Sequence, residues 1–152
     1  MSMTAKTTEK QAISNMLLER WEQTGAKLAA LAQEFPEEKY ESAPVPGVRT
    51  FGDALRHVAF WNQYVAETAR GNKADDAANE LPKSQYSSKA QILAVLTGST
   101  REAAEALRAH IGGLEPGKAA LAESFIEHVC EHYGQLTVYA RWAGVVPPAS
   151  RG

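Results

Sequence analysis

Four stretches of this chain repeat their apolar residues every third or fourth position, and none alternates with a period of two. That pattern restricts the fold more than any other feature, because it buries one face of a helix and cannot bury one face of a strand. The first stretch runs from about Glu9 to Phe35, with Ile13, Leu17, Trp21, Leu28 and Leu31 in phase and Thr24 interrupting the stripe. Pro36 closes it, and Pro44, Pro46 and Gly47 mark a loop. The second begins at Thr50, a suitable N-cap with Asp53 three residues on. It carries Ala54, Val58, Trp61 and Val65 on one face and ends near Gly71. Residues 71–87 are polar, contain Pro82, and read as a long connection.

Ser88 and Gln91 form a capping-box pair for the third stretch. Its face holds Leu93, Leu96, Ala103 and Leu107, and Gly112 and Gly113 stop it. The fourth runs from about Gly117 to Ala143. Gly144 suits the left-handed position after a helix, and Pro147 and Pro148 follow. The expected fold is all-α: a four-helix bundle, antiparallel or crossover-connected, with the long connection between helices 2 and 3. The length of 152 residues suits a single domain over residues 1–152 that buries its own core, with 1–7 and 149–152 fraying.

Composition excludes several classes. Sixteen basic and eighteen acidic residues give a net charge of −2, with no basic stripe, so nucleic acid is not an expected partner. No apolar run approaches the roughly 20 residues that span a bilayer, and no membrane partner is expected. The first residues, MSMTAKTTEKQ, lack the apolar core of a secretory signal, and the lone Cys130 cannot form an internal disulfide. The expected compartment is the cytoplasm.

Of the four histidines, two lie in the segment EHVCEHYGQ of the fourth helix. His128 and His132 are four residues apart, which places both imidazoles on one face, where a pair can chelate one metal ion. Their phase matches Leu121, Phe125, Leu136 and Tyr139, so the sequence predicts that both face the core. There an imidazole needs a ligand or a hydrogen-bond partner. Such a pair also arises by chance on solvated faces. His57, beside the stripe of the second helix, is the third candidate, although alone it reads first as a boundary histidine packed on Trp61. Three histidines with an open fourth position form the catalytic rather than the closed structural pattern of zinc. His110, near the end of the third helix, reads as structural or solvated. Cys130 lies about 200° around the helix from His128 and should face away. Glu131, Gln135 and Tyr133 are candidates to support the site: Glu131 as an orienting carboxylate or general base, Gln135 as a hydrogen-bond partner. Gly134 suggests a close helix approach beside it.

The segments HVCEHYGQLTVYARWAGVVPP and PVPGVRTFGDALRHVAFWNQYV resemble the C-terminal and second-helix motifs of the DinB-like (damage-inducible) metal-binding family, and SSKAQILAVLTGSTREAAEAL is similar to its third helix. Tyr133 stands where many members carry a basic residue. The resemblance implies a four-helix bundle, a divalent metal held by His57, His128 and His132, and a homodimer. Zinc or nickel comes first, with iron, manganese or copper after them. Related families include metal-dependent transferases of low-molecular-weight thiols such as bacillithiol and mycothiol, which implies either a thiol S-transferase or a hydrolase of the stress or detoxification type. The alternative is a non-catalytic module that binds a metal or a ligand. Trp21, Trp61 and Trp142 are the aromatic residues that a dimer face could draw on.

Overall fold

The computed structural model describes residues 3–109 and 113–152, so the expectation for His110 lies outside the described residues. Four helices form: α1 (Met3–Glu34), α2 (Phe51–Ala69), α3 (Lys89–Arg108) and α4 (Pro116–Trp142), with 3-10 turns at Glu37–Lys39 and Pro148–Ser150. Among the described residues there is no strand. α1 and α2 each pack on both α3 and α4, so the order around the bundle is α1, α3, α2, α4. The α1–α2 and α3–α4 connections therefore cross the bundle, and α2 and α3 are neighbours.

The caps fall where local chemistry puts them. The Thr50 hydroxyl accepts from the Asp53 amide, and Ser88 and Gln91 form the full reciprocal box. Pro116 opens α4 at a position where its missing N–H costs nothing, and Gly144 follows the helix with φ +82°. α1 starts at Met3 rather than Glu9, because nothing in MTAKTTEK breaks a helix once the turns after it are formed. At the other end Arg151 donates to Glu34 and to the Val146 carbonyl, placing the tail against the end of α1.

The first stripe is rotated relative to the expected one. Ser14, Leu18, Trp21, Gly25 and Leu28 are buried, Leu17 is half-buried, and Ile13 is 64% exposed. The cause lies at the interruption around Thr24. A Cβ on Gly25 would stand 2.3 Å from the Thr100 methyl carbon, so α1 meets α3 at a residue without a side chain. Trp21 locks the same crossing by donating to the Thr100 carbonyl at 2.9 Å.

The core divides into two clusters. One centres on Leu28, Leu31, Phe35, Phe51, Leu55, Val58, Ile92, Leu96 and Leu136, with Phe35 stacked on Phe51 at 3.7 Å. The other centres on Leu18, Trp21, Val65, Leu107, Leu114 and Ala122. Each fully buried Leu, Ile, Val or Phe contributes about 1.5–3 kcal/mol. Next to His57, the wholly buried Arg56 donates to Glu41, Asp53 and the Tyr86 carbonyl. Burial works against its charge, but the two carboxylates outweigh that and raise its pKa. This network ties the loops before and after α2 to the helix that carries His57. No helix among the described residues is long and apolar enough to cross a membrane.

Candidate metal centre at the α2–α4 seam

His57 arrives from α2, and His128 and His132 from α4. His57 is buried and the other two are half-buried, with one donor atom of each within 4.8 Å of the others. The α4 pair sits on the shoulder of the apolar stripe rather than within it. The buried residues are Ala122, Val129, Leu136, Tyr139 and Ala140, so Leu136 and Tyr139 of the expected stripe are buried while Leu121 and Phe125, like the histidines, are only half-buried. α4 must serve α1 and α2 together, so Val129 fills the centre while the histidines turn toward α2.

Hydrogen bonds settle which nitrogens are available. His57 Nδ1 lies 2.7 Å from the Asn79 carbonyl, which can only accept, so Nδ1 carries the proton and Nε2 presents a lone pair. His132 Nδ1 lies 3.1 Å from Gln135 Oε1 and is fixed in the same tautomer. Gln135 in turn donates to Tyr139 Oη, which donates to the Arg49 carbonyl at 2.6 Å. His128 Nε2 is 3.0 Å from His57 Nε2, and its buried Nδ1 has no partner. Nitrogens about 2.1 Å from a tetrahedral zinc lie roughly 3.4 Å apart, so this spacing suits a shared ion with a small adjustment. The donor set fits a divalent ion: neutral imidazoles, two of them oriented through Nδ1, with the lone pairs turned inward.

Burial favours the neutral, ligating form of all three. His128 is pushed down to about 3, by burial first and then by the His132, His57 and Arg49 charges. His57 and His132 are also lowered, chiefly by burial, which the Asn79 and Gln135 hydrogen bonds partly oppose.

Trp61 borders the cluster, with its ring centroid 6.4 Å from both His57 and His128, and it stacks on Phe125 at 5.6 Å. Trp61 Nε1 donates to Asn79 Oδ1 at 2.9 Å. Asn79 has φ +61°, so one residue in the left-handed region holds both an imidazole and an indole. Sequence reasoning missed it because a backbone carbonyl leaves no signature. Asn in a long loop was the one available hint.

The supporting candidates divide. Gln135 holds His132. Glu131 is exposed and makes no hydrogen bond to the cluster, although its charge acts on His132. Tyr133 turns to α1, where Lys27 Nζ sits 4.5 Å from its ring and both line a cleft of about 570 Å³. It does not support the histidines. Cys130 is exposed and lines that same cleft. A Cβ on Gly134 would meet open space, so no close helix approach explains it. Of the three tryptophans, Trp21 is core, Trp61 borders the site, and only Trp142 is exposed.

Residues 20–138, which include all three histidines, match the DinB superfamily. The chain belongs to the DinB superfamily. That places its four helices in an established bundle family and brings the histidines of both motif segments inside the matched region. No curated protein matches this DinB-like chain.

Proposed function

We propose that His57, His128 and His132 jointly bind one divalent transition metal, zinc or nickel before iron, manganese or copper, and leave a further coordination position for a small molecule. The observation that carries this is the convergence of three imidazole donors within 4.8 Å, two with their protons already placed on outward Nδ1 atoms. When bound, a divalent ion supplies a Lewis acid that lowers the pKa of a thiol or of water. The chain's own part is to keep three neutral donors oriented, to flank them with Trp61 and Phe125, and to leave His128 and His132 only half-buried. The function that follows is a metal-dependent enzyme, a thiol S-transferase or a hydrolase. The second reading is a non-catalytic module that binds a metal or a ligand; a fourth protein ligand closing the site would favour it.

Metal analysis of protein purified without a histidine tag tests the site. One equivalent is expected, with sharp loss in His57→Ala, His128→Ala and His132→Ala and none in Cys130→Ser. Full occupancy with unchanged affinity in His57→Ala would leave the α4 pair, alone or with Glu131, as the site. For the reaction, loaded protein should be screened with electrophiles and several thiols, and with esters and amides. Silence throughout, with the metal position sealed, refutes the enzyme. We also propose a reducing compartment, where the exposed Cys130 stays a thiol, and a homodimer. Exposed Ile13 and Met16 on α1 and Val138 and Trp142 on α4 support association. Light scattering that shows only monomer at tens of micromolar contradicts it.

A further inference from the structure

Three neutral imidazoles leave both charges of a divalent ion uncompensated. A cation beside such a centre weakens metal binding, yet the chain places one there. Arg49 lies just before α2, and its backbone carbonyl ends the hydrogen-bonded series from His132 through Gln135 and Tyr139. Its side chain pairs through Nε with Glu80, the residue after Asn79, whose carbonyl holds His57. Arg49 thus bridges the two segments that orient His132 and His57, and its charge bears on all three imidazoles.

The pairing is incomplete. Among the described residues Glu80 is the one partner of the Arg49 side chain, and it engages only Nε. The two terminal nitrogens make no hydrogen bond, and the side chain is 34% exposed. A guanidinium offers a planar fork that matches a carboxylate through two parallel bonds. We propose that Arg49 is a specificity-determining residue that receives the carboxylate of a small anionic ligand whose other end reaches the metal, with Glu80 holding the guanidinium until that carboxylate arrives. The inference rests on the metal reading and narrows its substrate class from thiols or acyl compounds in general to those carrying a carboxylate nearby.

The probes are 3-mercaptopropionate and its uncharged counterpart 2-mercaptoethanol, titrated into cobalt(II)-loaded protein and read from the visible absorption of the ion. Wild type should favour 3-mercaptopropionate. Arg49→Gln should weaken 3-mercaptopropionate by roughly tenfold, as expected for a charge-assisted hydrogen bond of about 1.4 kcal/mol, and leave 2-mercaptoethanol unchanged. Glu80→Gln should strengthen 3-mercaptopropionate, because the competing carboxylate is gone, an effect that a merely structural ion pair would not produce. Metal content is measured in both variants before the probes are added, because loss of the Arg49–Glu80 pair also frees one tether of the loop that orients His57. Equal weakening of both probes, or no weakening of either, in a variant with full metal content overturns the inference and leaves the metal site standing. Wild-type protein that takes up no metal overturns both, and metal analysis registers this separately.

Discussion

Acidification of the metal-free protein from pH 7 to pH 5 should destabilise it through its histidines. Burial lowers His128 from 6.5 to about 3, and lowers His57 and His132 as well. A histidine with a depressed folded pKa prefers to be protonated in the unfolded chain. Its contribution is complete above about 6.5 and is lost as pH falls toward the folded value. At pH 5 an unfolded imidazole lies about 1.5 units below its pKa, so holding His128 neutral costs about 2 kcal/mol before screening. His128 is only half-buried, and water reduces this to about 1 kcal/mol. His57 and His132 act in the same direction, giving a loss of about 1–3 kcal/mol over the interval. The lowered carboxylates Glu41 and Asp53 have ordinary values of 4.5 and 3.8, so they contribute below this window. Urea unfolding at pH 7, 6 and 5 in chelator, followed by circular dichroism, measures the effect. With a slope near 2 kcal/mol per molar, the midpoint should fall by roughly 0.5–1.5 M. His128→Gln should flatten the dependence. A midpoint that is constant or rising from pH 7 to pH 5, or a variant that keeps the whole slope, refutes the buried neutral cluster. In loaded protein, metal should leave as pH drops below about 6, because protons compete for the same nitrogens.

Gly25→Ala should destabilise the bundle by about 1–2 kcal/mol, overpacking against Thr100 less the gain in helix propensity, and Thr100→Ser in the same chain should recover most of it by removing the methyl group. Thermal unfolding reads this as a shift of about 2–8 °C. Asn79→Ala should lower metal affinity by roughly tenfold or more, because alanine resists the left-handed conformation that presents the carbonyl to His57. Asn79→Gly keeps that backbone and should retain the affinity while losing only the Trp61 hydrogen bond, and competition with a chromophoric chelator separates the two.

What the sequence made legible was local or periodic. The Thr50 cap and the Ser88–Gln91 box depend on residues three apart, and one turn of helix fixes their outcome. The common face of His128 and His132 follows from a spacing of four, and their convergence with His57 is what the second-helix motif implied. The rotation of the α1 stripe was not legible, because it depends on a contact between Gly25 and Thr100, 75 positions apart in the chain. Periodicity names the apolar face of a helix but not which edge of that face meets a given neighbour. The same ambiguity put His128 and His132 in the core stripe rather than on its shoulder, and left open that Tyr133 turns toward Lys27. Arg49 and Asn79 were invisible for a different reason: the second acts through its carbonyl, which every residue has, and the first through a partner in another loop.

The length of the α2–α3 connection acquires a reason from these contacts. α2 and α3 are neighbours in the bundle, and a few residues would join such a pair, since most helix connections in bundles are short. The chain instead spends residues 70–88 there, and several of them return to α2. The Asn79 carbonyl meets His57, Asn79 Oδ1 meets Trp61, Glu80 meets Arg49, and the Tyr86 carbonyl meets Arg56. The contacts involve residues 56–61 of α2 or the residue just before its cap. The hydrophobic clusters, by contrast, are built almost wholly from the four helices and their immediate flanks. The bundle therefore holds its shape mainly through its helices, with Leu81 and Tyr86 of the connection packed against the first cluster, while the orientation of His57 depends on the part of the loop around Asn79. Loss of metal should then be felt first in that loop, where the Asn79 carbonyl must hold an imidazole whose other nitrogen has lost its ligand, and only weakly in the unfolding of the bundle as a whole.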